Sequence, residues 1–110
     1  MLADVPPDAR VLTEETFGPL LPVVRVRGDE EAVRLANASA FGLSASVWST
    51  DARHAHAVAA TLDAGTVALN DAVIVAGIAE VPHGGVKESG MGRSPGGSGC
   101  AWCRPAMGAT

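Results

Sequence analysis

Glu14-Glu15-Thr16-Phe17-Gly18-Pro19 puts two carboxylates, an aromatic ring and a Gly-Pro step into one short stretch. Gly18 gives the backbone freedom and Pro19 fixes φ and removes a donor, so a helix cannot pass through. The stretch therefore reads as a loop that presents Glu15 and Phe17 at the mouth of the apolar run that follows. A carboxylate can accept hydrogen bonds from both hydroxyls of a ribose. A phenyl face can lie against a flat heterocycle. Those two tasks together make half of a nicotinamide-riboside site. The same residues also suit a solvated acidic turn with Phe17 in the core.

A second concentration of unusual residues is Pro82-His83-Gly84-Gly85-Val86-Lys87-Glu88-Ser89-Gly90-Met91-Gly92-Arg93. It fits no nucleotide-binding loop. A phosphate loop needs Lys followed by Ser or Thr directly after its second glycine, and Gly90 is followed by Met91. The dinucleotide pattern fails because Gly96, the next glycine after Gly92, comes one place too late. These glycines instead let backbone pack tightly against something else. Lys87 could contact an anion or fix the loop by bonding backbone carbonyls. Cys100 and Cys103 have the spacing of a zinc half-site or a redox pair, or are simply free thiols. No second pair of ligands stands at metal-site spacing, so no metal is expected. His54 and His56, two apart, point to different faces of a helix.

The elements that must position these residues follow from pattern. Met1 to Arg10 contains Pro6-Pro7 and reads as an extended entry. Leu20-Leu21-Pro22-Val23-Val24-Arg25-Val26 reads as a strand in which Pro22 restricts the first half to an edge or bulge. Asp29 is a competent cap for a helix opened by Asp29-Glu30-Glu31, with Ala32, Val33, Leu35 and Ala36 as its apolar stripe. Phe41-Gly42 reads as a turn and Leu43 to Ser49 as a strand. Ser49-Thr50-Asp51 starts a helix running to about Asp63. Its buried face is Ala52, Ala55, Val58, Ala59 and Leu62, and Gly65 stops it. Thr66 to Asn70 is the next strand. Such alternation predicts an α/β fold of strand-helix-strand units with a parallel sheet, whose ligands collect at the carboxyl ends of strands. Asn70-Asp71 falls at such an end. Ala72 to Ala79 is either a loop lining an apolar pocket or a plain core strand.

Composition narrows the function classes. The chain has 110 residues, enough for one domain with a modest core. Aromatics are only 4% and alanine and valine carry much of the apolar content, which suggests helices packed closely on a sheet. The net charge of −4 comes without any Lys/Arg cluster, which argues against nucleic acid. No apolar run is long enough to span a bilayer, and the N-terminus has no basic region followed by an apolar signal core. The cytosol is the expected compartment.

Four blocks together carry a family resemblance. Glu14 to Pro19 resembles the Glu-x-Phe-Gly-Pro motif of the aldehyde dehydrogenases. Gly84 to Arg93 resembles their Gly-Gly-x-Lys-x-Ser-Gly-x-Gly-Arg motif. Ala36-Asn37 with Phe41-Gly42-Leu43-Ser44-Ala45-Ser46-Val47, and Gly65-Thr66-Val67-Ala68-Leu69-Asn70, fall between them in family order and spacing. The resemblance covers about Asp4 to Arg93. It implies oxidation of an aldehyde, a semialdehyde included, to a carboxylic acid with NAD or NADP. A cysteine thiolate attacks, hydride leaves to the nicotinamide, and a glutamate-activated water releases the acid. Glu15 would hold the nicotinamide ribose and Phe17 would pack near the ring. His83 would stand beside the substrate, where many members have phenylalanine, and Asp71 to Ala79 would line the aldehyde entrance.

The resemblance also implies what this stretch does not carry. The family's catalytic cysteine, general base and dinucleotide-binding domain precede the Glu-x-Phe-Gly-Pro block. The chain is thus expected to be a C-terminal part of the catalytic domain over 1–93, with an irregular Gly-rich tail over 94–110, and to have no turnover alone. Cys100 and Cys103 match no catalytic position. The expected partners are an aldehyde and a homologous subunit or the missing N-terminal portion. By itself the chain should be marginally stable, with unpaired strand edges and an uncovered apolar face.

Overall fold

A computed structural model describes residues 1–72, 84–90 and 92. The chain divides into two compact units, Met1–Ser39 and Ala40–Thr110. Cys100, Cys103, His83, nearly all of the Ala72–Ala79 segment and the 94–110 tail lie outside the described residues.

In the first unit, the run from Leu20 to Val26 does not form the expected strand. Only a single parallel bridge, Leu2 to Pro22, is made there. The Leu2 N–H donates to the Leu21 carbonyl (2.8 Å), the Val23 N–H to the Leu2 carbonyl (2.7 Å) and the Val5 N–H to the Val23 carbonyl (3.0 Å). These bonds straddle Pro22, whose missing donor falls where none is needed. Leu20, Leu21, Val23 and Val26 remain exposed, and Val5 is the one buried hydrophobic residue of this unit. Pro6-Pro7 does not extend the entry either. The Ala9 N–H closes a turn on the Pro6 carbonyl (3.0 Å), and a 3-10 turn follows at Arg10–Leu12.

Helix α1 spans Asp29–Asn37. Its cap is Gly28 rather than Asp29, so the three acidic residues form the first turn, against the positive end of the helix dipole. Glu31 reaches back to accept the Arg27 N–H at 2.9 Å, in the manner of a capping box. Ala32, Val33 and Leu35 are half-buried and Ala36 is exposed.

The second unit holds β1 (Phe41–Gly42), β2 (Ser44–Val47), α2 (Ala52–Ala59), β3 (Thr66–Leu69) and β4 (Val86–Lys87). Strands β2 and β3 are parallel, in register from Ser44 opposite Thr66 to Val47 opposite Leu69. With α2 as the crossover they make the expected strand-helix-strand unit. Asp51 caps α2, accepting the His54 N–H on Oδ1 at 3.1 Å. Ala55, only 1% exposed, joins Ala59, Leu62, Ala64 and Ala68 in the core. Small side chains let the helix lie close on the sheet. Ala52 is exposed, not buried.

Helix α2 ends four residues short of Asp63. The Thr61 hydroxyl and N–H both donate to the Val58 carbonyl (2.7 and 3.0 Å), tightening the chain into a 3-10 turn. Gly65 therefore does not stop the helix. It is buried, and a Cβ there would collide with the Gly84 carbonyl oxygen. Phe41-Gly42 is also not a turn but a strand, antiparallel to β4 with Phe41 opposite Lys87 and Gly42 opposite Val86. Its partner sits far along the chain, which local sequence cannot announce.

Candidate functional site

The loop carrying Glu15 and Phe17 is launched by the 3-10 turn. The Arg10 carbonyl accepts three bonds, from the Thr13 N–H (3.0 Å), the Glu14 N–H (2.8 Å) and the Thr13 hydroxyl (3.2 Å). The Arg10 side chain grips the same segment. Nε donates to Glu14 Oε1 at 2.7 Å and Nη2 to Oε2 at 3.0 Å. This fork is the geometry in which guanidinium and carboxylate bind best. The bonds that Arg10 donates to Glu14 raise the Arg10 pKa, against a smaller opposing contribution from desolvation. Both side chains face solvent, so the pair orients more than it stabilises.

The consequence falls on the adjacent carboxylates. Both oxygens of Glu14 are occupied. Glu15 is exposed and has no hydrogen bond or ion pair among the described residues. Past it, Phe17 is 98% exposed, so it is not the core residue that one reading of the sequence allowed. The Leu20 N–H reaches the Gly18 carbonyl at 2.8 Å, closing a tight turn over Pro19. An unpartnered carboxylate and an uncovered ring, two residues apart on a loop with a tied base, fit the two tasks a nicotinamide riboside sets.

The second unit holds the other blocks. At the carboxyl ends of β2 and β3, Asn70 ties the strands together. Its Oδ1 accepts the Ser49 N–H (2.9 Å), its Nδ2 donates to the Ser49 carbonyl (3.0 Å) and its own N–H donates to the Val47 carbonyl (2.8 Å). Asn70 sits at φ 52°, a left-handed conformation that asparagine tolerates better than most residues. Beside it, the Ser46 hydroxyl donates to the Asp71 carbonyl at 2.7 Å. The sequence marked Asn70 as a strand end but not as a tie. An asparagine directly after a β-branched strand was the available signal.

The glycine-rich block is bound to β1. Ser89 Oγ accepts the Gly42 N–H at 2.8 Å, and the Glu88 N–H donates to the Ala40 carbonyl at 3.0 Å. The Gly65 N–H donates to the Gly42 carbonyl at 2.9 Å. Gly65 and Gly85 serve close backbone approach, since an added Cβ would meet the Gly84 and Ser89 backbone respectively, whereas at Gly92 it would meet nothing within 4 Å. The structure thus brings Glu15 and Phe17 onto one loop, while His83 lies outside the described residues. Among the described residues no group of three or more His, Cys, Asp or Glu could hold a metal ion. No described helix is long and apolar enough to cross a membrane.

Comparison with known proteins gives the family. The model of the aldehyde dehydrogenase family matches residues 1–103, and the chain belongs to that family. It is 50% identical over 93 residues to the NADP(+) succinate-semialdehyde dehydrogenase of Deinococcus radiodurans, covering 84% of this chain and 19% of the relative. The crystal structure of an NAD-dependent aldehyde dehydrogenase from Sinorhizobium meliloti superposes with a TM-score of 0.79 at 45% identity, over 86% of this chain and 18% of that one. That of an NADP-dependent glyceraldehyde-3-phosphate dehydrogenase from Bacillus halodurans, complexed with NADP, gives 0.77 at 42% identity, over 83% and 19%. The chain spans about a fifth of the length of the curated relatives it matches.

Proposed function

We propose that this chain supplies part of the cofactor site of an NAD(P)-dependent dehydrogenase that oxidises an aldehyde, with semialdehydes among its substrates, to a carboxylic acid in the cytosol. NAD or NADP, when bound, accepts the hydride. The Glu15 carboxylate accepts hydrogen bonds from the nicotinamide ribose hydroxyls. The Phe17 ring packs near the nicotinamide and holds it in place. His83 lies beside the aldehyde.

The observation that carries this reading is the division of labour between two neighbouring carboxylates. Glu14 is consumed by Arg10, and Glu15 stands unpartnered and exposed beside a ring that is 98% exposed. A core or salt-bridge role would leave neither free. The thiolate and general base of the family match nothing in these 110 residues, so the polypeptide alone has no turnover. A second reading is favoured by the exposed leucines and valines of the first unit: the chain associates, without catalysis of its own, with a full-length relative.

Saturation-transfer NMR with nicotinamide riboside tests the first reading on the 110-residue chain. Transfer to the ribose protons should fall at least fivefold in Glu15→Gln, and transfer to the nicotinamide ring should fall likewise in Phe17→Ala. Equal transfer in wild type and both variants would overturn it. NAD(P)H formation by the isolated chain with an aldehyde, abolished by thiol alkylation, would refute the claim of inactivity. Co-purification with a full-length relative would support the second reading.

A further inference from the structure

We infer that Arg10 is a positioning residue of this site: its guanidinium fork on Glu14 selects Glu15 as the carboxylate that meets the ribose. This rests on the reading of Glu15 given above and adds a residue to it. Two adjacent carboxylates on a loop are chemically equivalent acceptors for a diol. In this structure they are not equivalent. Arg10 Nε and Nη2 take one Glu14 oxygen each, at 2.7 and 3.0 Å. The Arg10 carbonyl also holds the Glu14 N–H at 2.8 Å and both donors of Thr13. Residue 14 is thus fixed at backbone and side chain by one arginine, and residue 15 leaves it with an unpartnered carboxylate.

The effect is bounded by exposure. The Arg10 side chain is 85% exposed and that of Glu14 56%. Exposed ion pairs bias an equilibrium by no more than about fivefold. Planar, two-point geometry places this one near the upper end of that range. A lysine at position 10 would hold one oxygen as a point charge and could not fix the carboxylate plane.

The test uses the 110-residue chain and nicotinamide riboside as probe, followed by saturation transfer. The riboside has no phosphate, so a direct contact of Arg10 with phosphate cannot contribute. Arg10→Ala should lower transfer to the ribose protons about threefold, with ring-proton transfer unchanged and the far-ultraviolet circular dichroism superimposable on wild type. Arg10→Lys should fall between the two. Glu14→Ala should resemble Arg10→Ala, and the double variant should be no worse than either single one, because both remove the same interaction. If Arg10→Ala keeps wild-type ribose transfer while Glu15→Gln loses it, the role of Arg10 is overturned and the riboside site stands. Multiplicative losses in the double variant overturn it too, since they mean independent contacts. If Glu15→Gln itself has no effect, the site and the inference fall together.

Discussion

Around Gly42, Gly65 and Gly84 the second unit packs backbone on backbone, whereas the Glu14–Pro19 loop of the first unit lies almost entirely in solvent. At Gly65 an added Cβ would strike the Gly84 carbonyl, and at Gly42 it would lie 2.8 Å from both the Asp63 carbonyl and a Val86 methyl. At Gly18 an added Cβ meets nothing within 4 Å. The two regions carry equally recognisable motifs for opposite reasons. One is constrained by what its own chain occupies. The other lies open to solvent and contributes little to holding the chain together. Substitutions should therefore cost stability in the first case and binding in the second.

The sharpest way to break that contrast is Gly65→Ala. The obstacle is backbone, which cannot rotate aside, so the cost should reach the upper end of overpacking penalties, about 3 kcal/mol or more. Amide exchange protection across β2 and β3 should disappear. Retained protection would mean that the contact with Gly84 is not constraining.

Asn70→Ala comes next, at about 2–3 kcal/mol. It removes two side-chain hydrogen bonds to Ser49, each worth about 1 kcal/mol, and leaves alanine in a left-handed conformation. Asn70→Gly, which relieves the second cost, should be milder in urea unfolding followed by circular dichroism. Equal losses would assign the whole effect to the hydrogen bonds. Asp51→Ala should cost about 1 kcal/mol, the usual value of a helix N-cap, read as earlier fraying of α2 by exchange at His54.

The smallest expected change sharpens the comparison most. Glu15→Gln and Phe17→Ala should leave stability within about 0.5 kcal/mol, because neither side chain is buried. A larger loss on removing the Phe17 ring would show that it packs against protein, and would return it to the core.

Much of the fold was legible because it is local. Ser49-Thr50-Asp51 announced its helix through a side-chain cap that acts within three residues. The alternation of Ser44 to Val47 and Thr66 to Leu69 announced a parallel pair through spacing alone. The order of the Glu14–Pro19 and Gly84–Arg93 blocks pointed to the aldehyde dehydrogenase family, which the match over residues 1–103 bears out. The errors share a cause. Phe41-Gly42 looked like a turn because its β partner is Val86-Lys87. Leu20 to Val26 looked like a strand because its composition is right, yet it meets only a short segment around Leu2.

By itself, then, the sequence determined element types, the cap of α2, the class of fold and the loop character of Glu14 to Pro19. All of these are set by backbone preference, side-chain chemistry and periodicity over a few residues. The tertiary structure alone decided that Gly65 is a point of backbone contact rather than a helix stop, and that Asn70 ties two strand ends. It also decided that Arg10 takes Glu14 and leaves Glu15 open. These outcomes depend on the distance between atoms that pattern does not encode. At Gly65 and Asn70 those atoms come from separate parts of the chain. At Arg10 they come from two carboxylates that composition cannot tell apart.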